Sequence, residues 1–507
     1  MESWLWTCLL VASFTYIILK AYKHLTYFSK LDIPSPWEVP FIGSTLYLFI
    51  PKRHINEWIK FIYNSHADAK YIGAHSFSTP SVFIKDLDLV KTVLIKNFDH
   101  FADRKQFVDE DVDPLFGQNL NFLNGDRWKE VRTMLSPAFT SSKMKTMFQL
   151  MDNCAEKFVA QLCTKYTDGM ELDLKDMVGR YTNDVIASCA FGIELDTMKD
   201  PDNEFYKQAK AVATFQGVVL LKLMLEGLFP RLTRMLGMRI ISKKLTDFFV
   251  NIVGSSIKLR EEQGIYRPDM LQLMMEARSK SESEGKAANY DLLEMTAQAF
   301  LFFLAGFDAT STQISLIAHE LALNPDIQQK VVLEINDALL KTPDGKPTYD
   351  MINNQLPYFD AVFSETLRRH PVAFLNRVCS KEFELPPALP GRKPFKIQPG
   401  MGIMIPVAAI HSDPKYFKDP EKFDPDRFFG KKITAIEATN LGFGMGPRMC
   451  IGNRFAIIEI KLFLVRLLNE CSLAVSDRTC TTSEYEKNIF APTPKGGFWL
   501  KLKSKKK

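Results

Sequence analysis

The residues best suited to chemistry sit in the loop Phe443-Gly-Met-Gly-Pro-Arg-Met-Cys-Ile-Gly452, which delivers one cysteine, Cys450, to the start of an apolar stretch, 451–468. Unpaired N–H groups and partial positive charge at a helix N-terminus stabilise a thiolate and lower its pKa. Cys450 is therefore expected to be a ligand or a nucleophile. Gly446 and Gly452 let the backbone turn tightly and approach something flat, and Arg448 brings a cation to the same place. Haem fits that combination, because its propionates need cationic partners and its iron accepts thiolate sulfur. Taken alone, the loop also reads as a buried cysteine after an ordinary strand-to-helix turn.

Glu365-Thr-Leu-Arg368 places a carboxylate and a guanidinium at i, i+3 on one helix face, and Phe423-Asp-Pro-Asp-Arg427 supplies a second arginine in an irregular stretch. Trp128-Lys-Glu-Val-Arg132 sets an indole donor and a cation one turn apart. The segment Phe300-Leu-Phe-Phe-Leu-Ala-Gly-Phe-Asp-Ala-Thr-Ser-Thr312 is an apolar helix that turns polar in its middle. Leu301, Ala305 and Ala309 recur at i, i+4, a stripe able to lie over a flat ring. Gly306 costs about 1 kcal/mol relative to alanine in a helix and marks a local opening.

The cysteine loop matches F-x-x-G-x-R-x-C-x-G position for position. On these residues the chain resembles the cytochrome P-450 family of haem-thiolate monooxygenases. The runs Phe101-Ala-Asp-Arg-Lys, Asn124-Gly-Asp-Arg-Trp-Lys and Leu135-Ser-Pro-Ala-Phe-Thr make it most similar to insect microsomal detoxification members. The resemblance implies haem b with Cys450 as the iron ligand and Arg104, Trp128, Arg132, Arg377 and Arg448 as propionate partners. It implies that Glu365, Arg368 and Arg427 form a buried network that holds the cysteine loop, tolerable only when complete. In the family pattern A-G-x-[DE]-T-[TS], an acid and a threonine organise the waters that deliver protons to dioxygen.

Asp308 is the acid of that pattern, but the threonine position holds Ala309. Thr310 is turned by about 100° around the helix and cannot simply substitute, so the usual relay is in doubt. Asp308 is the main proton-delivery candidate and Thr310 a secondary one. Phe107, Val108, Leu115, Phe116, Phe122, Phe215, Phe302, Phe374, Leu375 and Phe490 fall in segments that form substrate-recognition regions in related proteins. With Leu301, Ala305 and Ala309 they imply a large apolar pocket for lipophilic substrates.

The elements that must position these residues are mostly helical. Apolar i, i+3, i+4 spacing covers 147–162, 177–191, 245–260, 292–323, 327–340 and 355–370, whereas strand-like pieces are short, at 71–72, 81–84 and 401–406. The expected fold is mainly α with small β-sheets, the P-450 fold by resemblance. Residues 1–30 read as a signal anchor, 31–44 as a proline-rich hinge and 45–507 as one catalytic domain. Residues 4–19 carry no charge, close to the about twenty residues needed to cross a bilayer. Lys20, Lys23, His24 and Lys30 follow them, which places the bulk of the chain in the cytosol by the positive-inside rule. A second apolar region, 215–229, reads either as a core helix or, by resemblance, as a pocket roof that dips into lipid.

The balance of 64 basic against 59 acidic residues, net +5, is too mild for a nucleic-acid binder. Eight scattered cysteines without a C-x-x-C pair read as reduced thiols. The sequence carries no flavin or dinucleotide fingerprint, so electrons from NADPH must come through a partner. The resemblance implies NADPH–cytochrome P-450 reductase, with cytochrome b5 as a further partner, at the endoplasmic reticulum membrane. Ala309 keeps open a haem-thiolate isomerase or lyase that needs no reductase, and a non-enzymatic haem carrier or sensor is the remaining alternative.

Overall fold

The structure is a computed structural model that describes residues 2–49, 52–77, 79–106, 108–166, 169–213, 218–283, 291–371, 375–430, 441–487 and 491–505. Phe107, Phe215, Phe374 and Phe490 lie outside the described residues. The expected helices are present: Ser141–Lys165, Leu174–Ile186, Lys243–Gln263, Leu292–Leu304 continuing as Thr310–Leu323, Pro325–Leu339 and Pro357–Arg369. Their starts follow local chemistry. Asp173, Ser242 and Asp291 cap three of them through their side chains, and proline stands in the first turn of two others.

Nine short strands complete the described fold: β1 Tyr71–Ser76, β2 Thr79–Ile84, β3 Glu171–Asp173, β4 Leu375–Val378, β5 Phe383–Leu385, β6 Phe395–Ile397, β7 Gly402–Ile405, β8 Cys471–Val475 and β9 Trp499–Ser504. One sheet has the order β1-β2-β7-β4, with β2 and β7 parallel (Val82 opposite Ile403) and the other pairs antiparallel. Smaller sheets join β3-β9-β8 and β5-β6. A large core surrounds the helix Leu292–Leu323, and a second surrounds the four-stranded sheet. That helix is apolar enough to span a membrane, but 72% of its most apolar window is buried, so it is a core helix.

The N-terminal helix Glu2–Leu25 is unlike it, with its apolar residues exposed. The chain after it packs on the sheet. Phe28 and Ile33 are buried in the second core, and a Cβ on Gly73 would collide with the Phe28 ring. His24 stacks on His75 at 3.8 Å, and Glu38 accepts from the His75 ring at 2.6 Å. The end of the expected anchor and the start of the hinge are thus seated on β1, because their apolar residues find a sheet face to cover. Along the helix Val218–Leu228 and its successor Pro230–Met235, Leu221 and Phe229 of the second apolar region are exposed, as are Leu232, Met235 and Leu236 beyond it.

Candidate functional site

The cysteine loop folds through two left-handed glycines, Gly444 (φ +80°) and Gly446 (φ +74°). A Cβ at 446 would also overlap the Leu94 carbonyl oxygen, so only glycine fits there. Gly452 has an ordinary φ of −90° and serves instead as N-cap of the ligand helix Asn453–Glu470, which corrects the turn-forming role expected of it. The Cys450 N–H donates to the Phe443 carbonyl at 2.9 Å, closing the loop.

Cys450 does not carry the depressed pKa expected from its helix end. Burial pushes its thiol up, and the Gly452 N–H, Arg132 and Arg104 oppose that only in part. Desolvation wins because the surrounding protein removes bulk water from the anion. Cys450 nevertheless has exposed surface.

Four arginines converge on this cysteine. Arg104 and Arg132 lie close enough to feel its charge, and Arg448 feels Arg104, Arg377 and Arg132, with Asp103 opposing them. Arg448 lies over the Trp128 ring at 4.3 Å and donates to the Leu123 carbonyl at 2.8 Å and to Asn124 Oδ1 at 3.3 Å. Asn124 also accepts from the Arg104 backbone and donates to its carbonyl, tying three residues of the cluster together. Arg377, on β4, spends one nitrogen on the Asn376 carbonyl.

What the cluster lacks is acceptors. Arg104 Nε, Arg377 Nε and Nη2, and Arg448 Nε and Nη1 are buried without a hydrogen-bond partner. Burial and mutual repulsion push Arg104 down to about 10, Arg377 to about 9 and Arg448 to about 8. Arginine keeps its proton in proteins, so this pressure is a destabilising charge that a bound dianion would relieve. Orphaned donors around a thiol-bearing loop fit the two propionates and the iron of haem.

The second charged cluster closes around a carboxylate, with Arg427 Nε ion-paired there without a hydrogen bond. Arg368 binds Glu365 in bidentate fashion at 2.7 and 2.8 Å, with Arg427 Nε 3.5 Å from the same carboxylate and the Asp424 N–H donating to it at 2.9 Å. Arg368 also donates to the His411 carbonyl at 2.8 Å, and the Leu441 N–H donates to His411 Nε2 at 3.1 Å. Leu441 begins the strip that leads to Cys450. The expected triad is therefore assembled, and His411, which no sequence pattern singled out, couples it to the loop.

The helix Leu292–Leu323 opens where Gly306 stands, with a π-helical turn over Ala305–Ala309. A Cβ on Gly306 would press on Ile186 at 2.9 Å, so the glycine also permits close packing of Leu174–Ile186. Thr182 Oγ1 donates to the Phe307 carbonyl at 3.0 Å, and Ser311 Oγ donates to the same oxygen at 2.6 Å. Asp308 is paired with Lys175 at 2.9 Å, and the same ammonium contacts the Asp308 carbonyl, Ser311 Oγ and Thr312 Oγ1. Lys175 was not legible as a partner, since 133 positions separate it from Asp308.

Comparison with known proteins decides the class. The family model "Cytochrome P450" matches residues 34–500. The chain is 41% identical to "Cytochrome P450 9e2" of Blattella germanica over 99% of this chain and 98% of that protein. It is 36% identical to "Probable cytochrome P450 9f2" of Drosophila melanogaster over 94% of each, and 36% identical to "Probable cytochrome P450 6a13" of the same species over 97% and 98%.

The chain belongs to the cytochrome P450 family. It is accordingly a haem-thiolate monooxygenase, with the mainly α fold and small sheets of that family. Within this P450, Ala305 and Ala309 are exposed in an otherwise buried helix, so the expected stripe does face open space, while the neighbouring Thr310 is buried. Leu301 is half-buried. Phe302 packs edge-on to Phe139 in the core, and Phe116 packs against Phe122 at 5.1 Å. Leu375 closes on the cysteine loop, 3.4 Å from where a Cβ of Gly444 would be.

Proposed function

We propose that this P450 holds haem b between the cysteine loop and the alanine strip of the central helix and oxygenates lipophilic substrates with electrons from NADPH. The observation that carries this reading is the set of buried, orphaned arginine donors around Cys450. Cys450 is the iron ligand, and Arg104, Arg132, Arg377, Arg448 and Trp128 hold the propionates. Bound there, haem supplies activation of dioxygen, one atom of which enters the substrate while the other leaves as water.

The protein's own residues do the rest. Ala305 and Ala309 leave room above the ring plane, and Leu301, Phe122 and Leu375 exclude water on the apolar side. Asp308, held by Lys175, carries protons inward, with Thr310 a secondary candidate. Similarity to insect relatives supports xenobiotics, such as plant toxins or insecticides, and endogenous lipids as substrates. The exposed helix Glu2–Leu25 followed by Lys30 supports a single-pass anchor in the endoplasmic reticulum membrane with the catalytic domain, 45–507, in the cytosol. The apolar patch of Leu221, Phe229, Leu232, Met235 and Leu236 makes a second lipid contact. Electrons arrive from NADPH–cytochrome P-450 reductase, with cytochrome b5 as a second donor.

The test is NADPH consumption in membranes reconstituted with the reductase. Consumption and product formation should rise together with a lipophilic substrate. Turnover of a hydroperoxide without reductase would replace this reading by the isomerase or lyase that Ala309 keeps open. Haem binding with no turnover of either kind would leave a carrier or sensor.

A further inference from the structure

Far from the haem site, two thiols approach closely. Cys163 lies in the last two turns of the helix Ser141–Lys165, and Cys471 is the first residue of β8, immediately after the ligand helix Asn453–Glu470. Their sulfurs are 3.1 Å apart. Even carbon atoms reach optimal contact only at about 3.5–4.0 Å, and sulfur is larger. The 18-residue ligand helix rises about 1.5 Å per residue, so Cys471 stands roughly 27 Å from the end that follows Cys450. The pair is thus separate from the metal ligand.

The surroundings fix the two elements against each other. Arg466, on the ligand helix, pairs with Asp152 at 2.7 Å and reaches Glu156 at 3.8 Å, both on the Cys163 helix. The Lys505 ammonium donates to the Leu468 carbonyl and lies within electrostatic reach of Cys471. Thiolate is the form that attacks peroxide, and a neighbouring cation stabilises it against the desolvation that burial imposes.

We propose that Cys163 and Cys471 are a peroxide-driven thiol–disulfide pair. The Cys471 thiolate attacks one oxygen of hydrogen peroxide, breaking the O–O bond to give a sulfenic acid and hydroxide. Cys163 sulfur then displaces the sulfenic hydroxyl, forming the S–S bond and releasing water after proton transfer. In sum, two thiols and one peroxide give one disulfide and two waters, the sulfurs losing two electrons and the peroxide gaining them. Cytosolic glutathione or thioredoxin reverses it by exchange. Ala309 supplies the reason for such a device, since a weakened proton relay releases peroxide instead of product. That last source rests on the proposed monooxygenase function, whereas the pair itself does not.

The experiment uses the full-length protein, reduced, treated with hydrogen peroxide, alkylated after denaturation, digested and analysed by mass spectrometry. The alkylated Cys163 and Cys471 peptides should disappear and return as one cross-linked species, two hydrogens lighter than their sum and cleaved by dithiothreitol. Cys163→Ser should abolish the cross-link and leave Cys471 trappable by dimedone as a sulfenic acid. Full alkylation of both cysteines at a peroxide concentration that oxidises Cys480 would overturn the proposal. A second arm replaces added peroxide with NADPH and reductase, with and without catalase. A cross-link that forms in turnover and is lost with catalase identifies the protein's own peroxide as oxidant. One that forms with added peroxide but never in turnover overturns that source alone.

Discussion

Two buried arginine clusters, both built around the cysteine loop, differ in one respect. Around Glu365 the charges are paired: Arg368 is bidentate on the carboxylate and also donates to the His411 and Lys422 carbonyls, and Arg427 Nε stands 3.5 Å from the same carboxylate as an ion pair without a hydrogen bond. Around Cys450 four arginines meet with Asp103 in electrostatic reach of Arg448 but no carboxylate hydrogen-bonded to them among the described residues, and five of their nitrogens are left without an acceptor. A protein tolerates the first arrangement as scaffold, since a complete network repays its desolvation. It tolerates the second only as a binding site whose missing acceptors arrive with a ligand. Closed charge is architecture and open charge is recognition.

The most severe way to break the open side is Cys450→Ser. A serine oxygen cannot replace thiolate donation to iron, so the ferrous carbon monoxide complex should lose the red-shifted Soret band of thiolate haem. Retention of the band would move the ligand to another cysteine. On the closed side, Glu365→Gln leaves Arg368 buried and unpaired, at a cost of about 3–5 kcal/mol. Thermal unfolding should fall steeply whether or not haem is bound, because the fault lies in the scaffold.

Arg448→Ala and Arg377→Ala sharpen the contrast, since their effects on the two states should have opposite signs. Without haem, removing one of several mutually repelling cations should leave unfolding unchanged or raise its midpoint. With haem, the same change deletes a propionate partner, and a charge-assisted hydrogen bond is worth about 1.5–3 kcal/mol, so haem should dissociate about ten- to a hundredfold faster. Transfer of haem to apomyoglobin measures that rate. Equal destabilisation of both states would make the arginines scaffold after all.

Much of this contrast was legible in the chain. The turn at Gly446 before Cys450, the i, i+3 pair of Glu365 and Arg368, and the local opening at Gly306 all follow from short-range geometry and are present in the structure, whereas Gly452 caps the ligand helix instead of turning the loop. The misses are long-range. Lys175 reaches Asp308, and His411 reaches Leu441, only through tertiary folding, and neither lysine nor histidine carries a local signal for that. The expected depressed pKa of Cys450 failed for the same reason: helix-end stabilisation is local, whereas the desolvation that outweighs it comes from the whole fold. The prolines of the hinge are visible in sequence, while the sheet face that receives Phe28 and Ile33 is not.

Between the two extremes stands the pair of Lys175 and Asp308, matched in charge but about one-third exposed, and therefore free to exchange partners. Asp308→Asn should leave substrate-induced spectral shifts intact while slowing turnover by up to about 10²-fold, the low end of what a positioned proton carrier supplies. It should also leave the haem-free midpoint nearly unchanged, because an exposed pair contributes roughly 0–1 kcal/mol. Ala309→Thr is the gentlest change, adding a hydroxyl beside Asp308 on a face that is open in the fold. Better-ordered proton delivery should raise product formed per NADPH consumed and lower peroxide release, with binding unaltered. Unchanged coupling in both variants would show that protons enter by another route and would reduce the Asp308 pair to a clasp between helices. Faster hydroperoxide turnover by the wild type than by Ala309→Thr, with no reductase present, would instead favour the isomerase.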